Sequence, residues 1–147
     1  MSTQQQLNDT TVKMTSKVIW FGTQASVPIF IAAIIALEHI VKFQPITPDL
    51  KNIFIGLCVV STPIPFVILN MFKRNQRQIN DNIQLGMENA SKDLQRYLSL
   101  LVIGLSLCNL TAVFGLILYI ISGEVELSIF FICISFLLGF LYKPALK

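Results

Sequence analysis

Charged residues are scarce in this sequence. Only 13% of its 147 residues are Asp, Glu, Lys or Arg, whereas soluble domains carry about 25%. Hydrophobic residues make up 54% of the chain, and the mean hydropathy is +0.68. Length and composition together predict a single integral membrane domain that covers residues 1–147.

Four apolar stretches are long enough to cross a hydrocarbon core of about 30 Å as helices. They are residues 18–37, 53–72, 98–121 and 125–142. No small-x-small cleavage pattern follows the first cleanly, so we expect a retained helix there and not a secretory leader. Before the second, Thr47 suits the N-cap, Pro48 the first helical position and Asp49 the positive end of the helix dipole. The prediction is an all-α, four-helix transmembrane bundle of two hairpins, with helices at about 18–37, 48–72, 98–121 and 125–142 and a loop at 73–97.

The basic residues are distributed unevenly around these stretches. Nine of the eleven lie near the chain ends or between the second and third stretches, and only Lys42 and Lys51 lie elsewhere. The positive-inside rule therefore predicts that both termini and the 73–97 loop are cytoplasmic. The turn after the third stretch agrees, because it carries Glu124 and Glu126 and no base. We expect the protein in a cytoplasmic membrane of the bacterial type.

Side chains for catalysis or coupled transport are missing. The only Asp, Glu, Lys, Arg or His in the four stretches is Glu126, at the start of the fourth, whereas ion-coupled carriers place such groups inside the membrane. The sequence has no Ser–His–Asp set, no metal-ligand cluster and no Gly-rich phosphate loop. Its three cysteines fall in the apolar stretches without a C-x-x-C pair. We therefore expect no enzymatic activity, cofactor or metal, and no nucleic-acid partner.

Prolines interrupt two of the predicted helices. In the "STPIPF" segment, Pro63 and Pro65 each remove an amide donor, which frees the carbonyls of Val59 and Ser61. One interpretation is a broken helix that opens a binding site, as in transporters. The interpretation we favour is a kink that Ser61, Thr62 and neighbouring helices stabilise. Pro28 is the third predicted kink, and it frees the carbonyl of Gln24.

Small residues recur at helical spacing in three of the stretches. Such stripes let helix backbones approach closely in lipid, where the hydrophobic effect does not drive helices together. The pattern predicts packing, either within the chain or onto a partner. The small residues are Gly22, Ser26, Ala32 and Ala36 in the first stretch, Gly104, Cys108, Thr111 and Gly115 in the third, and Ser135 and Gly139 in the fourth.

Asn109 is the one amide side chain in the third stretch. It lies eleven residues past Leu98, which is about 16 Å into the span. Ser61 and Thr62 lie at a similar depth in the second stretch. We therefore predict that Asn109 forms a hydrogen bond with Ser61, Thr62 or the carbonyl of Val59. The predicted polar contacts between helices are Gln24, Ser61, Thr62, Asn109 and Thr111.

Residues 104–119, "GLSLCNLTAVFGLILY", resemble the ion-carrying helix of the proteolipid (subunit c) family of rotary ATPases. In that family a carboxylate precedes a short small-residue stretch and an aliphatic–aromatic–Gly/Ala–Leu run. Here Asn109 occupies the carboxylate position, and residues 112–116 follow in similar order. An amide cannot bind and release a proton at physiological pH. The resemblance therefore implies a relative that has lost ion translocation.

The polar segment between the second and third stretches has two notable patterns. Ile79, Ile83 and Met87 recur every four residues, which predicts that the second helix continues beyond the membrane. Basic residues that could dock an anionic lipid or a soluble partner are Arg74, Arg77, Lys92 and Arg96. Acidic residues dilute this charge, so we favour an ordinary solvated loop.

These patterns favour a non-catalytic integral membrane protein that packs into a larger complex or a homo-oligomer. The expected partners are the lipid bilayer and other membrane subunits or copies of the chain. The alternative is a passive channel or carrier for a small neutral or lipophilic solute. Its lining would be Gln24, Ser61, Thr62, Asn109 and the carbonyls that the prolines free.

Overall fold

The computed structural model describes residues 3–40, 48–85 and 90–145, and almost all of them are helical. The helices are α1 (Thr3–Ile40), α2 (Pro48–Ser61), α3 (Ile64–Leu85), α4 (Ala90–Ser122) and α5 (Val125–Leu141). The predicted all-α class is confirmed. The second predicted helix is divided into α2 and α3, because Pro63 and Pro65 each lack an amide donor at this point. Thr47, the predicted N-cap, lies outside the described residues.

Two helices extend well beyond their apolar stretches. The predicted start of the first helix near residue 18 is wrong, because α1 begins at Thr3. Hydropathy marks only the apolar part of a helix, whereas this polar extension also packs, with Val12 against the core. The bound near residue 98 marks only the apolar part of the third helix, and α4 begins earlier, at Ala90. This start lies close to the one predicted by Ser91 as an N-cap with Asp93 in the first turn.

Most of the predicted 73–97 loop is therefore helical. Residues 73–85 belong to α3 and residues 90–97 belong to α4. The physical reason is burial, because Ile79 packs in one cluster with Leu94 and Tyr97, and these are 1%, 6% and 0% exposed. The side chain of Ile83 and the whole of Met87 lie outside the described residues. We call this packed extension the α3–α4 hairpin.

Helix α4 lies at the centre of the bundle, in contact with each of the other four helices, and α1 also packs on α5. Three apolar clusters surround it. One joins α3, α4 and α5 and includes Phe72 and Tyr142. The other two join α1 or α2 to α4 and α5. Among the described residues, most of the contacts between helices therefore involve α4.

The turn between α4 and α5 depends on Gly123. This residue has a φ of 70°, a left-handed conformation that glycine adopts without steric cost. Its N–H donates to the carbonyl of Tyr119 at 2.8 Å. Beside the turn, Lys51 at the start of α2 forms an ion pair with Glu124. We call this side of the bundle the turn end, and the opposite side, near Trp20 and Tyr142, the termini end.

Among the described residues, three helical segments are long and apolar enough to cross a membrane: Thr10–Ile40, Asp49–Asp81 and Asp93–Ser122. The fourth apolar helix, α5, has 17 residues. Its length is about 25 Å at the standard rise per residue. Length and composition therefore support three of the four predicted spans directly.

Candidate functional site

The break between α2 and α3 is stabilised by local hydrogen bonds. The hydroxyls of Ser61 and Thr62 both donate to the carbonyl of Cys58, at 3.0 and 2.8 Å. The Thr62 N–H donates to the same carbonyl at 3.2 Å, and the Phe66 N–H donates to the carbonyl of Pro63 at 3.1 Å. These bonds satisfy polar groups at the point where the regular helix pattern ends.

A polar contact joins this break to α4, but its partner is not the predicted one. The hydroxyls of Ser61 and Thr111 lie 3.3 Å apart, and the two residues are 6% and 0% exposed. Residues two apart on a helix point about 200° apart. Asn109 therefore faces away from α2 when Thr111 faces it. The predicted bond from Asn109 is wrong, and its half-buried amide has no hydrogen bond to any residue in the described ranges.

A second contact joins α1 to α5 around Gly139. The indole N–H of Trp20 donates to the Gly139 carbonyl at 2.9 Å. A Cβ atom on Gly139 would lie 1.8 Å from Nε2 of Gln24, so this glutamine packs directly on the glycine. Gln24 is 8% exposed, and its Oε1 has no hydrogen-bond partner among the described residues. Helix α1 continues through Pro28 without a break.

A third contact ties α5 to α3 and α4 at the termini end. The Tyr142 hydroxyl donates to the carbonyl of Pro65, and its ring lies 5.4 Å from the ring of Phe72. A Cβ on Gly104 would lie 2.1 Å from Cε1 of this tyrosine. Only glycine leaves room for the ring at this position.

The remaining predicted small residues of α4 and α5 lie at the interface between these helices. The Ser135 hydroxyl donates to the Cys108 carbonyl at 2.6 Å, and both residues are 1% exposed. A Cβ on Gly115 would lie 3.1 Å from the Ser128 carbonyl oxygen. These groups allow α4 and α5 to pack closely along their length.

The small residues of α1 point elsewhere. A Cβ on Gly22 would meet nothing within 4 Å, and Ala32 and Ala36 are exposed. Ser26 is half-buried, and its hydroxyl donates to the carbonyl of Thr23 within the same helix. This side of α1 is not used for packing among the described residues.

A basic pocket lies between α3 and α4 in the α3–α4 hairpin. It has a volume of about 220 Å³ and is lined by Met71, Arg74, Asn75, Gln78 and Arg96. We call it the hairpin pocket. It brings together two of the four basic residues singled out in the sequence.

The other two basic residues are not part of that pocket as described. Arg77 is exposed and does not line the pocket. The side chain of Lys92 lies outside the described residues. Sequence reasoning missed Asn75 and Gln78, although both follow Met71 at helical spacing and therefore share one face of α3 with it.

The described residues show no arrangement typical of an active site. No three His, Cys, Asp or Glu side chains in that part of the chain are grouped as metal ligands would be. Cys58 and Cys108 are buried free thiols, and Cys133 is an exposed one. The hydroxyl and indole groups described above bond to backbone carbonyls or lie at contacts between helices.

The fold and these contacts define an all-helical bundle with three helices long and apolar enough to cross a membrane. No protein-family model, curated protein or solved structure matches the chain. The proposals below therefore depend on the chain's own geometry.

Proposed function

We propose that this chain is a non-catalytic integral membrane subunit that packs against another transmembrane helix, from a second copy or another protein. The observation that carries the proposal is the outward face of α1. The exposed residues on this face are Gly22, Ala25, Ile29, Ala32 and Ala36, at alternating spacings of three and four. We call this face the α1 stripe.

The spacing and residue types of the α1 stripe support helix association. Alternation of three and four residues keeps a seam on one side of a helix, as in left-handed helix pairs. Small residues along the seam let two backbones approach, which drives association in lipid. Ile29, the one large side chain of the stripe, is 66% exposed. It would act as a knob between the small residues of the partner.

Exposed apolar side chains support insertion of the bundle in a bilayer. Phe21, Val67 and Leu137, on three different helices, are 71%, 67% and 65% exposed. Large exposed apolar side chains on several helices favour aggregation in water and are expected in lipid. Helix α5 spans as the fourth segment, because its 17 residues reach the lower limit for a span and it packs along α4.

The charge distribution supports an orientation with both termini in the cytoplasm. Arg74, Arg77 and Arg96 in the α3–α4 hairpin lie on the same side as the termini. Glu124 and Glu126 lie at the turn end. The positive-inside rule then places the turn end outside. The resemblance of residues 104–119 to a proteolipid helix without its carboxylate fits a subunit that does not translocate ions.

The geometry does not favour the channel alternative. Gln24 packs on Gly139 of α5, whereas Ser61 packs on Thr111 of α4. Asn109 points away from Thr111 around the same helix. These side chains occupy separate helix contacts and do not line one path.

Site-specific photo-crosslinking in intact membranes tests the packing proposal. A photo-crosslinking amino acid at Ala32 lies on the α1 stripe, and the same group at Val60 of α2 lies on an exposed face off the stripe. We expect one or two discrete protein adducts at position 32 and only lipid adducts at position 60. Lipid adducts alone at both positions would refute the proposal. Twice the chain mass would identify a second copy as the partner.

Labelling of single introduced cysteines tests the orientation. The background carries Cys133→Ser, because Cys133 is the exposed thiol. Glu124→Cys should react with a membrane-impermeant maleimide in intact cells. Arg77→Cys should react only after permeabilisation. The reverse pattern would show that the turn end is cytoplasmic.

A further inference from the structure

The hairpin pocket combines two positive charges with two amide groups. Arg74, Asn75 and Gln78 line it from α3, and Arg96 lines it from α4. Its volume of about 220 Å³ corresponds to about seven water molecules at about 30 Å³ each. It therefore has room for a phosphate group and a few waters. The four polar residues can all donate hydrogen bonds.

Asn75 is the strongest indication that the pocket receives a ligand. The residue is 6% exposed, lines the pocket, and has no hydrogen bond to any residue in the described ranges. Its amide atoms are not among the fully enclosed atoms without a partner, so they open onto the pocket, where polar groups of a nearly buried residue usually find a hydrogen-bond partner. An acceptor in the pocket would provide one for the amide N–H₂ group.

The two arginines are available to the same ligand. In the part of the chain that the structure describes, neither Arg74 nor Arg96 forms an ion pair. The nearby carboxylates by helical register are Asp81, one turn beyond Gln78, and Asp93, one turn before Arg96. Guanidinium groups present several donors in a planar array that matches the oxygens of a phosphate.

The position of the pocket favours a phosphate that belongs to a lipid. Arg74 is two residues beyond Phe72, and Arg96 is two residues before Leu98, so both lie at the edge of the apolar stretches. Met71 and Val67, one and two helical turns deeper than Arg74, continue the same face of α3 and are 48% and 67% exposed. A lipid could therefore place its phosphate in the pocket and its acyl chain along these side chains.

We propose that the hairpin pocket binds the phosphate group of an anionic phospholipid from the membrane leaflet at the termini end. Arg74 and Arg96 contact the phosphate oxygens. Asn75 and Gln78 donate hydrogen bonds to the remaining oxygens. The bound lipid holds α3 and α4 together where the hairpin leaves the membrane.

Native mass measurement with added lipids tests this site. The probes are phosphatidic acid, phosphatidylglycerol and phosphatidylcholine with identical acyl chains, titrated into the detergent-solubilised full-length protein at about 0.15 M salt, where exposed charges are screened. The test variant is Arg74→Gln with Arg96→Gln. The matched control is Lys73→Gln with Arg77→Gln, which removes the same charge from exposed positions outside the pocket.

The wild-type protein should retain one anionic lipid more strongly than phosphatidylcholine. The test variant should weaken that binding by about tenfold or more, because it removes both charge-assisted contacts. The control should change it by less than about threefold, as expected for screened charges. Equal losses in the two variants, or no loss in either, would overturn the proposal.

Two further measurements separate the lipid from other anions and from unfolding. Asn75→Leu keeps the branching and heavy-atom count of the side chain but removes its hydrogen-bonding atoms, and it should weaken anionic-lipid binding while Trp20 fluorescence stays that of the folded protein. Unchanged lipid binding in this variant would refute the role of the buried amide. Inorganic phosphate alone should not displace the lipid at equal concentration. Displacement at equal concentration would identify a free oxyanion as the ligand and overturn the lipid assignment.

Discussion

Replacement of Gly104 by alanine should destabilise the bundle much more than its small size suggests. The new Cβ would lie 2.1, 2.5 and 2.8 Å from three ring carbons of Tyr142. These atoms belong to a rigid ring whose hydroxyl donates to the Pro65 carbonyl. The ring must move, which costs about 1–3 kcal/mol for overpacking. The strained or lost hydrogen bond adds about 0.5–1.5 kcal/mol.

A matched glycine provides the control for this prediction. Gly56 lies inside α2, and a Cβ there would meet nothing within 4 Å. Gly56→Ala should therefore stabilise its helix by about 0.5–1 kcal/mol. The same propensity gain applies to Gly104→Ala and reduces its net cost. The propensity gain cancels between the two variants, so their free energies of unfolding should differ by about 1.5–4.5 kcal/mol, the sum of the overpacking and hydrogen-bond terms.

Unfolding in mixed micelles of increasing SDS content measures this difference. The chain contains one tryptophan, and Trp20 contacts the Gly139 carbonyl between α1 and α5. Its fluorescence therefore reports loss of the bundle. In a Tyr142→Leu background the ring is absent. Gly104→Ala should then be no more destabilising, in free energy of unfolding, than Gly56→Ala. Equal stability of the two alanine variants in the wild-type background would refute the close contact between Gly104 and Tyr142.

The remaining predictions concern three polar contacts. Thr111→Val should lower the free energy of unfolding by about 0.5–1.5 kcal/mol, because it removes a buried hydroxyl contact. Asn109→Leu should change it by less than about 0.5 kcal/mol. A larger loss for Asn109→Leu in the same unfolding assay would show that Asn109 does bond to α2, as its depth alone predicts. Ser135→Ala should cost about 1 kcal/mol, because its bond to α4 is buried, and an unchanged unfolding curve would contradict that bond. Lys51→Gln should cost less than about 1 kcal/mol, and less at high salt, because its ion pair with Glu124 is solvent-exposed; a loss that does not depend on salt would contradict this.

Depth in the membrane could be predicted from the sequence, but direction around the helix could not. Counting residues placed Ser61 and Asn109 at similar depth, and Ser61 does meet a residue of that level, Thr111, two positions further along. Which side of α4 faces α2 depends on how all the helices pack together. A difference of two residues turns a side chain through about 200°. The position of a residue along its helix follows from the local sequence. The direction in which its side chain points depends on the tertiary packing of the helices.

Helix ends follow a similar division. The start of α2 at Pro48 and the end of α4 before Gly123 agree with the capping and termination rules. The polar extensions that begin at Thr3 and Ala90 escape hydropathy, because it does not register the packing of Val12, Leu94 and Tyr97 against other helices. Where the local signal is strong, the boundary could be predicted.

Small residues predicted close contacts without identifying what they contact. Gly104 accommodates an aromatic ring from beyond the end of α5, and Gly139 accommodates a glutamine from α1. A Cβ on Gly22 would meet no atom of the described residues within 4 Å. A stripe of small residues shows only that another helix or side chain can approach the backbone closely. The partner in each case is distant in sequence, and no spacing rule identifies it.

The native mass of the protein, extracted from membranes under mild conditions with its lipids, tests the central proposal most directly. A subunit that packs through the α1 stripe should give an assembly heavier than a single 16.5 kDa chain with bound lipid. Ala32→Phe, which obstructs the stripe, should release the single chain. Val60→Phe, on an exposed face of α2, should leave the assembly intact. A single-chain mass for the wild-type protein under every lipid-retaining condition would contradict the account.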